Sequence, residues 1–171
     1  LKVDDPTNKI IIVFNPGQRY ADVKGRNCDK YSTPVNLISM AGDKIDEKEI
    51  MVYNFCTGKL AGDSSKNFWS NKWNPPYKGK TKLEKRVDAN LKLIEQFVEQ
   101  GVPRKQIIIT GHSCGGLVTL LLTSQYLDKF GGGIAMNHAC YGQLSAKKTN
   151  YDEVYKKLLS VAWQRDKEIS I

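Results

Sequence analysis

The feature that most constrains the fold of this chain is a glycine-rich turn between two apolar segments. The turn is Gly111-His112-Ser113-Cys114-Gly115-Gly116, preceded by a β-branched run at residues 107–110 and followed by an apolar run at residues 117–126. A buried strand, a serine with glycines on both sides, and an apolar helix in this order predict a sharp strand-to-helix turn. Such a turn presents its central side chain at the carboxyl edge of a parallel sheet, where α/β proteins bind ligands.

The rest of the sequence alternates strand and helix patterns, as an α/β protein does. Residues 9–14 are continuously apolar and largely β-branched, which is typical of a strand buried on both faces. These patterns predict a mostly parallel sheet flanked by helices on both faces. The other predicted strands are 49–55, 107–110 and 134–137, and the predicted helices are 35–40, 82–100, 117–126 and 151–163. The apolar stripe of the 82–100 helix is formed by Leu83, Val87, Leu91, Ile94 and Val98.

Length and composition indicate one domain over residues 1–171. The net charge of +8 favours anionic partners, but the basic residues are dispersed and no nucleic-acid-binding signature accompanies them. No apolar run reaches the roughly 18 residues that a membrane span requires. The sequence therefore predicts no nucleic-acid partner and no membrane span. It does not indicate an oligomeric state.

The four cysteines, at positions 28, 56, 114 and 140, contain no C-x-x-C pair, so a zinc or other metal site has no support. Cys28 and Cys56 both fall in loops that follow strands on the same side of the predicted sheet. A disulfide between them would favour an exported protein, whereas two free thiols are the equally open alternative. Cys114 is expected to pack as a small hydrophobic residue.

The G-x-S-x-G pattern around Ser113, together with the strand before it and the helix after it, resembles the α/β-hydrolase superfamily. Within that superfamily the chain is similar to serine esterases and dienelactone-hydrolase-like members. The resemblance extends over roughly residues 9–140 and includes the Asn15-Pro16-Gly17-Gln18 turn after the first strand. Its specific part is the Ser113 turn, and the remainder is the order of the elements.

The resemblance implies that Ser113 is a nucleophile that attacks the acyl carbon of a small ester or related acyl substrate. It implies one oxyanion donor in the backbone amide of Cys114. The second donor would come from the turn after the first strand, and because Pro16 has no N–H, either Gly17 or Gln18 must supply it. This mechanism needs no cofactor and no metal.

The family places its acid and its histidine after the serine, and the only later histidine in this chain is His138. Because residues 168–171 resemble the beginning of a strand, we expect the chain to be truncated and the acid and histidine to follow residue 171. The alternative is that His138 serves as the base, with Asp152 or Asp166 as its acid, since such a site is defined by geometry rather than by order.

Residues 56–80 form a predicted long loop with four aromatic side chains. Loops of this length inside a domain often contribute to function, so Trp69, Trp73 and Tyr77 are candidate substrate-binding residues. The alternative is that these aromatics cover an edge of the core. Two other functions stay open. One is a catalytically inactive relative that binds a ligand or partner in the same cleft, and the other is a fragment completed by a second chain.

Overall fold

The computed structural model describes residues 2–17, 33–55 and 82–138. These residues form five strands, three α-helices and three short 3-10 turns. The strands are β1 (Lys9–Asn15), β2 (Lys44–Ile45), β3 (Lys48–Asn54), β4 (Ile107–His112) and β5 (Gly132–Met136). The helices are α1 (Val35–Ser39), α2 (Lys82–Glu99) and α3 (Cys114–Tyr126). The 3-10 turns are Pro6–Asn8, Arg104–Gln106 and Leu127–Lys129.

The strands form one sheet in the order β2-β3-β1-β4-β5. Strand β1 pairs in parallel with β3 and with β4, and β4 pairs in parallel with β5. Only the short β2 is antiparallel to its neighbour β3. The sheet is therefore mostly parallel, and the carboxyl ends of β1, β4 and β5 meet at one edge. The fold class is α/β, as the sequence predicted.

Helices α2 and α3 pack on the same face of this sheet. The strand register places Ile11, Val13, Ile107 and Ile109 on that face, and all four are completely buried. They form one apolar cluster with residues of both helices, including Phe97 of α2 and Leu117 of α3. Phe97 also stacks edge-to-face on Tyr53 of β3, with ring centroids 5.8 Å apart. On the opposite face, Ile12, Phe14 and Ile50 are buried as well.

Two details of the sheet differ from the sequence prediction. Strand β2 and its hairpin with β3 were not predicted, because the turn between them uses Asp46 and Glu47 at φ of 46° and 63°. Turns of this geometry are usually recognised by Asn-Gly or Asp-Gly. Strand β5 covers Gly132–Met136, so it begins and ends earlier than the predicted strand 134–137. The predicted helix 151–163 and the strand near Ile169 lie outside the described residues.

Helix α2 buries a wider face than the predicted stripe. Leu83, Val87 and Ile94 are buried as expected, whereas Leu91 and Val98 are only half-buried. Lys85 is buried as well, and four further buried positions follow helical spacing along one side of the helix: Arg86, Asn90, Leu93 and Phe97. Polar side chains thus lie inside the first half of α2, where it approaches the end of β1. No helix in the described ranges has the length and apolar character of a membrane span.

Arg104, in the 3-10 turn before β4, connects the second half of α2 to the 3-10 turn Leu127–Lys129 that follows α3. Its two terminal nitrogens donate to the two carboxylate oxygens of Glu95, at 3.0 Å and 2.8 Å. Arg104 also donates to the backbone carbonyl of Lys129 at 3.1 Å. The hydrogen bonds from Arg104 hold the pKa of the Glu95 carboxyl below its ordinary value. Because the carboxylate form is favoured by the folded state, this contact stabilises the protein only while Glu95 is ionised.

We predict that Glu95→Gln lowers the urea midpoint of unfolding slightly at pH 7. The loss should shrink as the pH falls from about 4.3, the ordinary pKa of glutamate, through the lower folded-state pKa, and should vanish below it. Urea titrations of both proteins between pH 7 and pH 3 measure this. Glu99→Gln, on an exposed position of the same helix, is the control. A difference that is equally large at pH 3 would contradict the role of the charge.

Candidate functional site

Ser113 lies at a sharp turn between β4, which ends at His112, and α3, which begins at Cys114. Its backbone has φ of 56° and ψ of −122°, a strained conformation for a residue with a side chain. The Ser113 amide donates to the carbonyl of Met136 in β5 at 3.1 Å, which anchors the turn to the neighbouring strand. The side chain is half-buried at the carboxyl edge of the sheet.

The glycines on either side of Ser113 are required because three backbones meet there. A Cβ on Gly111 would overlap the carbonyl of Gly115, and a Cβ on Gly115 would overlap the carbonyl of Asn15. At Gly116 an added Cβ would lie 3.0 Å from the Cα of His138. The first turn of α3 therefore rests directly on the end of β1 and on the residues after β5.

The turn after β1 brings Gly17 against Ser113. A Cβ on Gly17 would lie 3.1 Å from the Cβ of Ser113 and 3.6 Å from its Oγ, so the bare backbone of this buried glycine faces the hydroxyl. The sequence predicted this proximity for Gly17. Gln18, the other candidate for the oxyanion amide, lies outside the described residues.

Cys114 is 1% exposed, as expected for a side chain packed in the core. It is also disulfide-bonded, which the sequence did not indicate. Cys114 is the one cysteine in the described ranges, so Cys28 and Cys56, for which a disulfide and two free thiols were equally open, lie outside.

His138 follows β5 by two residues and lies at the same edge of the sheet as Ser113. Its Cα is close to Gly116 in the first turn of α3, and its side chain is exposed. The turn around Ser113, together with this first turn of α3, is called the elbow below. The structure thus brings His138 to the region where the sequence placed it, without assigning it a role. The other histidine, His112, is exposed at the end of β4. The aromatic candidates Trp69, Trp73 and Tyr77 lie outside the described residues and stay predictions.

Sequence reasoning missed a group of buried polar side chains behind the Gly17 turn. Asn15, Arg86 and Asn90 are all completely buried. Arg86 and Asn90 were overlooked because the helix stripe was traced through apolar residues alone. Their spacing of four residues, continued by Leu93 and Phe97, was the signal that could have identified them.

An α/β sheet with helices, a strained serine at a strand-to-helix elbow, and a glycine backbone beside its hydroxyl define an α/β-hydrolase-type protein. The phospholipase/carboxylesterase family matches residues 72–159, which is just over half of the chain. The chain therefore belongs to that family. No curated protein matches it.

Two solved structures are similar to parts of this chain. A phospholipase/carboxylesterase from Dyadobacter fermentans has a TM-score of 0.49 and 21% sequence identity, covering 85% of this chain and 61% of its own length. A sugar hydrolase from Lactococcus lactis has a TM-score of 0.41 and 18% identity, covering 75% of this chain and 43% of its own. The chain thus spans less than two thirds of each of these proteins.

We predict that Gly115→Ala prevents stable folding or destabilises the protein by more than the roughly 1–3 kcal/mol of ordinary overpacking. The added methyl group would overlap the backbone carbonyl of Asn15, the completely buried last residue of the central strand β1. Urea unfolding and soluble yield measure the effect.

Gly132→Ala is the matched control, because nothing lies within 4 Å of its added Cβ. We expect this variant to stay within about 0.5 kcal/mol of wild type. Equal stability of the two variants would show that the contact between the elbow and β1 is looser than described.

Proposed function

We propose that this protein is a serine hydrolase that cleaves a carboxylic ester or a related acyl bond through an acyl-Ser113 intermediate. The observation that carries the proposal is the strained conformation of Ser113 at the elbow, with the backbone of Gly17 beside its hydroxyl. A strained backbone at a residue that lies at the carboxyl edge of a parallel sheet is typical of a functional site. The membership of the chain in the phospholipase/carboxylesterase family supports the same chemistry.

In the proposed reaction the Ser113 oxygen attacks the acyl carbon while a base takes the hydroxyl proton. The tetrahedral intermediate collapses, the bond from carbon to the alcohol oxygen breaks, and the base returns its proton to the alcohol. Water then attacks the acyl-enzyme in the same way and releases the carboxylic acid and free Ser113. No bond in this sequence requires a cofactor.

The negative oxygen of the intermediate needs two hydrogen-bond donors in fixed positions. We assign them to the backbone amides of Gly17 and Cys114. The Cys114 amide is at the first position of α3, where helix N–H groups have no partner within the helix and favour negative charge. A preorganised donor of this kind contributes about 3–4 kcal/mol to the transition state.

For the base we propose His138, which among the described residues is the histidine that packs against the elbow. The position of its Cα near Gly116, at the edge of the sheet where Ser113 lies, supports this assignment, and a histidine that follows residue 171 is the alternative base. The sequence contains two histidines in all, so each can be replaced in turn.

We predict that a fluorophosphonate probe labels the wild-type chain at one residue, Ser113, and that Ser113→Ala abolishes the labelling. The reason is that only an activated serine attacks the phosphorus at a useful rate. Intact-protein and peptide mass spectrometry locate the label. Ser39→Ala, at an exposed serine of α1, is the control and should label as wild type does. Absence of labelling in wild type would contradict activation of Ser113 by residues 1–171, and would favour either a base that follows residue 171 or a ligand-binding protein.

We predict that His138→Gln slows this labelling by about 10²-fold or more, the size of a general-base contribution. His112→Gln should leave the rate unchanged, because β4 carries the His112 side chain on the face of the sheet opposite α2 and α3. The two variants are compared by the time course of labelling at pH 7. Equal rates for both variants would remove His138 from the mechanism and leave the assignment of Ser113 intact.

A further inference from the structure

We infer that Asn15, Arg86 and Asn90, here called the amide brace, are positioning residues that hold the Gly17 amide against Ser113. The inference rests on the proposed function, because it assigns Gly17 as an oxyanion donor. It concerns residues behind the site, which do not themselves reach the substrate. All three side chains are completely buried, and they connect α2 to the end of β1.

The centre of the brace is a reciprocal pair of side-chain amides. Asn90 donates to the side-chain oxygen of Asn15 at 2.9 Å, and Asn15 donates to that of Asn90 at 3.0 Å. Asn90 also donates to the backbone carbonyl of Arg86 at 2.8 Å. The Asn15 amide reaches the carbonyl of Thr110 in β4 at 3.4 Å. The pair thus fixes the last residue of β1 both to helix α2 and to the strand that leads to Ser113.

Arg86 extends the brace to the next residue of the turn. Its terminal nitrogen donates to the carbonyl of Pro16 at 3.3 Å. The peptide group whose oxygen is Pro16 O has the Gly17 N–H at its other end, because a peptide unit is planar. A hydrogen bond that orients the Pro16 carbonyl therefore also orients the Gly17 amide.

The first turn of α3 also approaches the Pro16 peptide group. An added Cβ on Gly115 would lie 2.8 Å from the Pro16 carbonyl oxygen, which shows how closely the elbow approaches the turn. The turn after β1 is thus enclosed by the first turn of α3 and by the brace. Removing the brace would take away its hydrogen bonds to Asn15 and Pro16 while the contact of Gly115 with the turn remained.

The chemistry of the brace also distinguishes it from ordinary packing. A buried guanidinium or amide is costly unless it is hydrogen-bonded, so apolar side chains would fill the same space at lower cost. In the second half of α2 the buried residues are indeed apolar: Leu93, Ile94 and Phe97. Arg86 and Asn90 occupy the half of the helix that faces the Gly17 turn. This placement indicates that Arg86 and Asn90 fix the orientation of backbone groups by hydrogen bonds. Apolar contacts could not orient these groups.

The test uses Asn90→Ala, with Ile94→Ala as its matched control. Both remove a completely buried side chain from α2, one helical turn apart, but Ile94 is not part of the brace. Hydrolysis of p-nitrophenyl acetate gives kcat and KM, and amide hydrogen exchange measured by NMR gives the protection of Gly17. Arg86→Met and Arg86→Lys form a second pair in case Asn90→Ala fails to fold, since lysine retains a donor for the Pro16 carbonyl.

We expect Asn90→Ala to lower kcat by about 10²-fold at nearly unchanged KM, because a displaced donor weakens only the transition state. Exchange at Gly17 should become faster in Asn90→Ala than in Ile94→Ala. Ile94→Ala should keep the wild-type kcat even though it loses stability. Arg86→Lys should lose less kcat than Arg86→Met.

The inference is overturned if Asn90→Ala and Arg86→Met retain both the wild-type kcat and the wild-type protection of Gly17. It is equally overturned if Ile94→Ala lowers kcat as much as Asn90→Ala does. Failure of the proposed function has a different signature. Wild type would then neither hydrolyse the ester nor react with a fluorophosphonate, while Gly17 exchange would still report whether the brace fixes the turn.

Discussion

The site depends on the contact between two backbones, the first turn of α3 and the end of β1. Gly115 lies so close to the carbonyl of Asn15 that no side chain fits between them. This contact sets the position of the elbow relative to the turn after β1, and hence the distance between the Ser113 hydroxyl and the Gly17 amide. The other contacts at the site act on two segments whose relative position this contact already restricts.

Two further restraints act on the same few residues. The Ser113 amide is hydrogen-bonded to Met136 of β5, and the amide brace holds Asn15 and Pro16 from the side of α2. A strained backbone such as that of Ser113 persists only where the contacts around it prevent it from relaxing. The elbow therefore belongs to the rigid part of the molecule, which is what preorganised stabilisation of a developing charge requires.

The sequence predicted those parts of the fold that depend on local patterns. Strands β1 and β4 are continuous apolar runs, and the Ser113 elbow has glycines at fixed offsets, so each could be identified from its neighbours in the chain. The β2 hairpin could not, because Asp46 and Glu47 adopt positive φ without glycine. The Asn15–Asn90 pair joins residues 75 positions apart. Only the packing of α2 on the sheet brings them together, and a buried Asn or Arg has no periodic signal as strong as that of leucine.

The central claim is that Gly17 and Cys114 together bind a negative oxygen attached to Ser113. A crystal structure of the phosphonylated protein tests it most directly, because the phosphonyl oxygen occupies the place of the oxyanion. The account predicts that this oxygen accepts hydrogen bonds from both backbone amides at about 2.7–3.1 Å. A phosphonyl oxygen directed away from Gly17, toward solvent or another donor, would contradict it.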